Sequence, residues 1–249
     1  MKIISLYSIK GGVGKTATAV NLAYEASKGS QTLLWDWDPQ ASSTFYLRVK
    51  PKIKGKTGSI ITKKSYYQKN IKATDFPGFD LLPADFLLRD LDFMLSKMKD
   101  SKKDLKKKII GMFDDYEYVF IDSPPSASVL SEYLLYISDV VLVPLVPTVL
   151  SLRTYSMLKS EIANDKSRNR IFTFFSMVDK RKKMHNDTME EVKETEDNLL
   201  DVAIPYSAVV EKMGIERTPV QMIESKSQAS SAYANLWKAL LESEIFSVK

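Results

Sequence analysis

The sequence predicts an α/β fold: a doubly wound, mostly parallel sheet of about seven or eight strands with helices on both faces. Three observations predict it. Short apolar runs alternate with helix-period patterns along all 249 residues, the order that builds βαβ units. The first apolar run, Ile3-Ile4-Ser5-Leu6-Tyr7-Ser8-Ile9, passes directly into a glycine-rich turn and then a helical pattern. The chain is 44% hydrophobic, which at this length suffices for a full core in one domain.

The elements follow in order. After the first strand, a helix runs over about 15–28 and stops at Gly29. Thr32-Leu33-Leu34-Trp35-Asp36-Trp37 forms the next strand and closes at Asp38-Pro39-Gln40. Residues 50–72 lack clear periodicity and are expected as loop and short helix. A short strand is expected over 79–83, and helices over 85–113 that end in a lysine run. Tyr118-Val119-Phe120-Ile121 is a buried strand leading to Asp122, and Val140-Val141-Leu142-Val143-Pro144 is another. A helix starts near Ser151, a strand covers 171–175, a helix about 186–200, a last strand 202–205 and a terminal helix 228–246. No repeat or linker divides the pattern. Residues 1–249 are expected as a single domain with no N-terminal DNA-reading module.

Composition excludes several classes. With no cysteine there are no disulfides and no thiolate-held iron–sulfur cluster. No apolar stretch approaches the ~20 residues of a membrane span, and with a core strand at the very start no signal peptide is expected. A cytoplasmic location is expected. The single histidine, His185, rules out a multi-histidine metal site and is expected at the surface.

Charge is unevenly distributed within a net +5. Residues 48–72 carry Arg48, Lys50, Lys52, Lys54, Lys56, Lys63, Lys64, Lys69 and Lys72 with no acid. Residues 97–108 hold Lys97, Lys99, Lys102, Lys103, Lys106, Lys107 and Lys108 against Asp100 and Asp104, and Lys180-Arg181-Lys182-Lys183 forms a third cluster. Such runs are ordinarily solvated faces; three in one chain favour a nucleic-acid surface. Tyr66-Tyr67, within the first cluster, is expected to pack rather than stack on bases.

The glycine-rich turn reads Lys10-Gly11-Gly12-Val13-Gly14-Lys15-Thr16. Its backbone N–H groups and the following helix N-terminus suit phosphate oxygens. Lys15 is placed for the β/γ-phosphates and the Thr16 hydroxyl for Mg2+. Strict P-loop spacing asks for glycine where Ile9 stands, and a second lysine, Lys10, sits at the mouth of the turn instead. Two lysines in seven residues repel each other unless an anion lies between them.

This sequence resembles the deviant Walker A box of the ParA/MinD superfamily, which includes DNA-partition ATPases, division-site ATPases and nitrogenase iron protein. The missing cysteines remove the last branch, and the chain resembles a ParA/Soj-type partition ATPase. The resemblance implies that Lys10, Gly11, Gly12, Val13, Gly14, Lys15, Thr16 and Ala17 bind ATP, with Lys10 reaching across a dimer interface to the partner's nucleotide. Asp36-Trp37-Asp38-Pro39-Gln40 looks like the family's DxDPQ segment. It implies a water-positioning, catalytic role for Asp38 beside Lys10 and Lys15, and a place for Asp36 near the metal's water shell. Val119-Phe120-Ile121-Asp122-Ser123-Pro124-Pro125-Ser126 looks like Walker B and the second switch. Thr16 would then bind Mg2+ directly and Asp122 through water. Trp35 and Trp37 are expected to pack on the strand faces.

Further matches extend over most of the chain. Ser176-Met177-Val178-Asp179-Lys180-Arg181 resembles the family's segment ending in an arginine that contacts nonspecific DNA. Arg181, with Lys182 and the Lys106, Lys107 and Lys108 run, is therefore the expected DNA-binding set. Val202-Ala203-Ile204-Pro205 resembles the strand end whose proline, here Pro205, packs on adenine, and Ser230-Ser231-Ala232-Tyr233 matches the entry to the terminal helix. The arginines usual after that proline are replaced by Tyr206 and Val209, with Lys212 and Arg217 shifted.

The function implied is an ATPase for DNA partition. ATP and Mg2+ close a homodimer, which binds nonspecific DNA in the nucleoid until a ParB-like centromere-binding or other activating protein stimulates hydrolysis. Alternatives are a ParA-like positioner of a protein cargo, a MinD-like membrane-cycling regulator and a non-hydrolysing scaffold. The membrane reading needs a basic amphipathic tail. The C-terminus instead mixes Leu236, Trp237, Leu240, Leu241 and Phe246 with Glu242 and Glu244.

Overall fold

The computed structural model describes residues 1–50, 67, 69–84, 86–97, 101–126, 128–161, 170–243 and 246. Most of the 50–72 segment, with Lys52, Lys54, Lys56, Lys63, Lys64 and Tyr66, lies outside the described residues, as does Lys99. Eight strands form one sheet: β1 (Lys2–Leu6), β2 (Thr32–Asp36), β3 (Lys72–Ala73), β4 (Phe79–Leu82), β5 (Tyr118–Asp122), β6 (Val140–Leu145), β7 (Ile171–Val178) and β8 (Leu199–Pro205). Their order is β3-β4-β2-β5-β1-β6-β7-β8, and every pairing is parallel except the two-residue edge strand β3 against β4. The expected fold class holds.

Central parallel strands are covered on both faces and must be apolar on both. β1 meets that demand with Ile3, Ile4 and Leu6, all fully buried between β5 and β6. On one face, Ile4, Leu6, Leu34, Phe120, Leu142 and Phe174 pack under α1 (Lys15–Ser27) and α11 (Gln228–Glu242). On the other, Ile3, Leu33, Val119, Ile121 and Val141 pack under α4 (Lys102–Met112), α5 (Val129–Ile137) and α6 (Val149–Glu161). Trp35 and Trp37 are buried on this second side, edge to face at 4.9 Å, and Tyr67 packs against Trp35.

Several boundaries move for identifiable reasons. The expected helical region 85–113 splits into a 3-10 turn (Phe86–Asp90), α3 (Leu91–Lys97) and α4, because Ser101 and Asp104 form a reciprocal capping box that starts a new helix. The helix expected over 186–200 is α7 (Lys183–Thr195). It stops where Glu196 caps it and accepts Lys159 Nζ at 2.7 Å, so Leu199 already belongs to β8. The terminal helix ends at Glu242, four residues early, with Ser243 Oγ folded back onto the Leu240 carbonyl. Short helices α2 (Ser42–Tyr46), α8 (Ala208–Glu211), α9 (Met213–Glu216) and α10 (Val220–Ile223) have too few residues to show periodicity.

Candidate functional site

The turn between β1 and α1 lies at the C-terminal ends of the strands. Its shape depends on two glycines in the left-handed region, Gly12 at φ 70° and Gly14 at φ 89°. Gly14 caps α1 and its carbonyl accepts Thr18 N at 2.9 Å. β7 braces the turn: Ser176 Oγ donates to the Val13 carbonyl at 2.8 Å, and a Cβ on Gly14 would stand 2.9 Å from that same oxygen. Gly14→Ala is therefore expected to lower stability by about 1–3 kcal/mol, from left-handed strain plus the forced shift of Ser176. A chemical-denaturation midpoint unchanged from wild type would refute this.

Lys15 is buried, and its Nζ turns back to donate to the Lys10 carbonyl at 3.2 Å, closing the turn into a ring. Burial lowers its pKa, while Asp122 and Asp38 oppose that shift and favour the ammonium. The Lys10 side chain is exposed at the mouth of the turn, and its N–H donates to Ser8 Oγ. Gly11 lies beside Pro125, whose Cγ is 4.0 Å from the glycine's Cβ position, so the Ser123-Pro124-Pro125 stretch borders the turn.

Asp36 and Asp122 end neighbouring strands in register, and both are fully buried. Burial, and the charge of one carboxylate upon the other, raise the pKa of Asp36; burial chiefly raises that of Asp122, opposed by the Ser43 and Thr16 hydroxyls. Their partners differ. Asp36 Oδ2 accepts Thr44 N at 2.9 Å and Thr44 Oγ1 at 2.7 Å, and its Oδ1 accepts Asp38 N at 3.1 Å. Both oxygens of Asp36 thus hold the turn that follows β2. Asp122 Oδ2 accepts Ser43 Oγ at 2.6 Å, whereas Asp122 Oδ1 is buried with no hydrogen-bond partner. Asp38 is half-buried; its Oδ1 accepts Gln40 N and its carbonyl accepts Ala41 N, so it shapes the turn it begins.

Thr16 opens α1 beside Lys15, Ala17 follows it half-buried, and Pro205 ends β8 at the same end of the sheet. The structure thereby gathers Lys10, Gly11, Gly12, Val13, Gly14, Lys15, Thr16, Asp36, Asp38, Asp122 and Pro205 at one rim. The basic candidates are not gathered. Arg181 lies just past β7, exposed, with Nε and Nη2 on the Asp179 carboxylate, whose pKa it holds down at about 2; Lys182 caps α7 nearby. Lys106 instead bonds Asp139 Oδ1 at 2.8 Å, and Asp139 Oδ2 accepts Ile3 N at the start of β1. The α4 lysines therefore sit toward the N-terminal ends of the strands, away from the rim that carries Arg181. The shifted Arg217 lies over the Phe45 ring and donates to the Phe45 carbonyl, clasping α2.

One expectation needs correction. His185 is buried rather than on the surface, and its Nδ1 accepts Asp179 N at 3.1 Å, shaping the loop that presents Arg181. Leu236 and Leu240 are fully buried on the sheet, while Trp237 packs on Tyr118 and Phe120, so these apolar residues of the C-terminus serve the core. Among the described residues no helix is long and apolar enough to cross a membrane. Sequence reasoning missed Ser43, Thr44 and Ser176. The run Ser42-Ser43-Thr44 directly after the DPQ turn was a usable signal, while the contact of Ser176 with residue 13 exists only through space.

A parallel doubly wound sheet with a glycine turn, a buried lysine and strand-end carboxylates at one rim defines a P-loop nucleoside triphosphatase. A family described as "AAA domain" (AAA_31) matches residues 1–174; the chain belongs to it and is an ATPase of the ParA/MinD type. The sporulation initiation inhibitor protein Soj of Bacillus subtilis is 29% identical over 245 residues, covering 95% of this chain and 97% of Soj. A plasmid partition protein from Borrelia burgdorferi is 27% identical with a TM-score of 0.74, covering 96% of this chain and 97% of that one. The Cyanothece McdA–ATP complex, 17% identical with a TM-score of 0.79 over 96% of each chain, shares the fold alone.

Proposed function

We propose that this chain is a partition-type ATPase that binds ATP with Mg2+, closes into a homodimer and holds nonspecific duplex DNA until an activating protein stimulates hydrolysis. The observation that carries the reading is the buried Lys15, whose Nζ donates to the Lys10 carbonyl and whose charge Asp38 and Asp122 favour, at the base of a turn with an exposed second lysine. The metal fits the residues present. Asp122 Oδ1 is a buried acceptor with no donor within hydrogen-bond distance, and a magnesium-bound water is a donor of the kind it needs.

Thr16 Oγ1 and Asp122 would hold the ion, which supplies charge neutralisation on the phosphate oxygens. The turn's N–H groups and Lys15 orient the triphosphate, and Lys10, exposed at the mouth, extends toward the partner's phosphates. Asp38, half-buried beside Lys15, orients the attacking water by accepting its hydrogen at a carboxylate oxygen. With one carboxylate in that role, unstimulated turnover is slow. Pro205 borders the adenine.

The DNA step rests on Arg181 and Lys182 at the site's rim, and dimer formation doubles that set. A mobility-shift titration on nonspecific duplex is expected to show binding only with ATP. It should fall with salt at a slope near −0.9 per phosphate contacted. Arg181→Glu is expected to weaken binding equally on unrelated sequences while leaving ATP affinity intact. Lys107→Glu, on the distant α4, should change it much less. No ATP-dependent shift at about 100 mM salt would remove DNA from the cycle and leave a protein assembly as the cargo.

A further inference from the structure

We infer that Ser43 is a positioning residue that fixes the metal-facing oxygen of Asp122 and so couples the bound ion to the turn carrying Asp38. The inference rests on the Mg2+ site proposed above. Three observations carry it. Ser43 Oγ donates to Asp122 Oδ2 at 2.6 Å, with both side chains fully buried. Asp122 Oδ1 is buried with no donor within hydrogen-bond distance, the Thr16 hydroxyl acting on Asp122 only closely enough to favour its charged form. The next residue, Thr44, binds Asp36 Oδ2 through both its N–H and its hydroxyl, and the same hydroxyl accepts Ala84 N at 2.9 Å.

α2 is thus pinned by consecutive residues to two different strand ends, Ser43 to β5 and Thr44 to β2. A carboxylate held at one oxygen cannot rotate freely, so Ser43 determines which Asp122 oxygen remains to accept from a metal-bound water. The same bond runs back along four residues to Asp38, whose carbonyl accepts Ala41 N at the entry to α2. Ala41 itself is left-handed at φ 55°, leaving little slack between Asp38 and Ser43. Ordering of Asp122 by the ion and placement of Asp38 are therefore mechanically linked. Thr44 plays a different part: it satisfies Asp36, which makes Asp36 a brace of the turn.

The test compares ADP affinity with and without magnesium, a binding readout independent of turnover. Wild-type protein is titrated with ADP by calorimetry in EDTA and again with Mg2+, and the ratio is the magnesium gain. In Ser43→Ala the affinity in EDTA is expected to stay at the wild-type value while the magnesium gain falls about ten-fold, the scale of one hydrogen bond to a charged group. Ser43→Cys, nearly isosteric with a weaker donor, should fall between the two and carries the test if Ser43→Ala does not fold.

An unchanged magnesium gain in a folded variant overturns the inference while leaving the metal site intact. Equal losses in EDTA and in magnesium also overturn it, since Ser43 would then act only on the general shape of the site. A wild-type protein with no magnesium gain overturns the metal site itself and the inference with it.

Discussion

Lys15→Ala is expected to reduce ATP affinity by at least about 100-fold, or roughly 3 kcal/mol, the effect of removing a charged donor that meets phosphate in a desolvated site. Lys15 is buried at the floor of the turn, and its ammonium is the charge that Asp38 and Asp122 act on. Removing it takes away the buried cation whose charge offsets Asp38 and Asp122 toward an incoming polyanion, so the loss combines a missing attraction with a less screened repulsion. Calorimetric titration with ATP and Mg2+ measures it, after a cooperative melt has shown that the variant folds. Binding within about three-fold of wild type, far below the scale of a charged hydrogen bond, would mean that the phosphates lie elsewhere.

Asp38→Ala is expected to separate binding from hydrolysis. The side chain is half-buried and lies near Lys15 and Asp122, yet it is not part of the buried pair that ends β2 and β5. Its removal should lower turnover about 10²- to 10⁴-fold, the range for losing a positioned acid–base group, and leave ATP affinity near wild type. With hydrolysis blocked, the ATP-bound dimer should accumulate, and light scattering with ATP and Mg2+ should report twice the monomer mass. Lys10→Ala should do the reverse, binding ATP as a monomer, because its exposed side chain is offered to the second copy. An Asp38→Ala protein that stays monomeric at saturating ATP would sink the closed-dimer cycle.

The sequence by itself determined much of this protein. Parallel strands buried on both faces must be written as unbroken apolar runs, so β1, β2, β5, β6 and β7 were legible from composition and spacing. The turn was legible because close backbone approach and positive φ at Gly12 and Gly14 exclude most other residues. The carboxylates were legible because each ends an apolar run, where a doubly wound sheet places its ligands.

Only the tertiary structure decided how those groups are partnered. Asp36 and Asp38 look like equivalents two residues apart, but folding binds both oxygens of one to Thr44 and Asp38 N and leaves the other half-buried beside Lys15. Three lysine-rich runs look alike in one dimension. In the fold, Lys106 is tied to Asp139 at the far ends of the strands, while Arg181 stands at the rim of the site. His185 is buried because the loop after β7 needs its Nδ1 as an acceptor for Asp179 N, and Ser43 matters because β5 carries Asp122 within 2.6 Å of a residue 79 positions away. Periodicity records which way a residue faces within its own element. Hydrogen-bond partners and charge neighbours depend on how separate elements are stacked, and no local pattern carries that information.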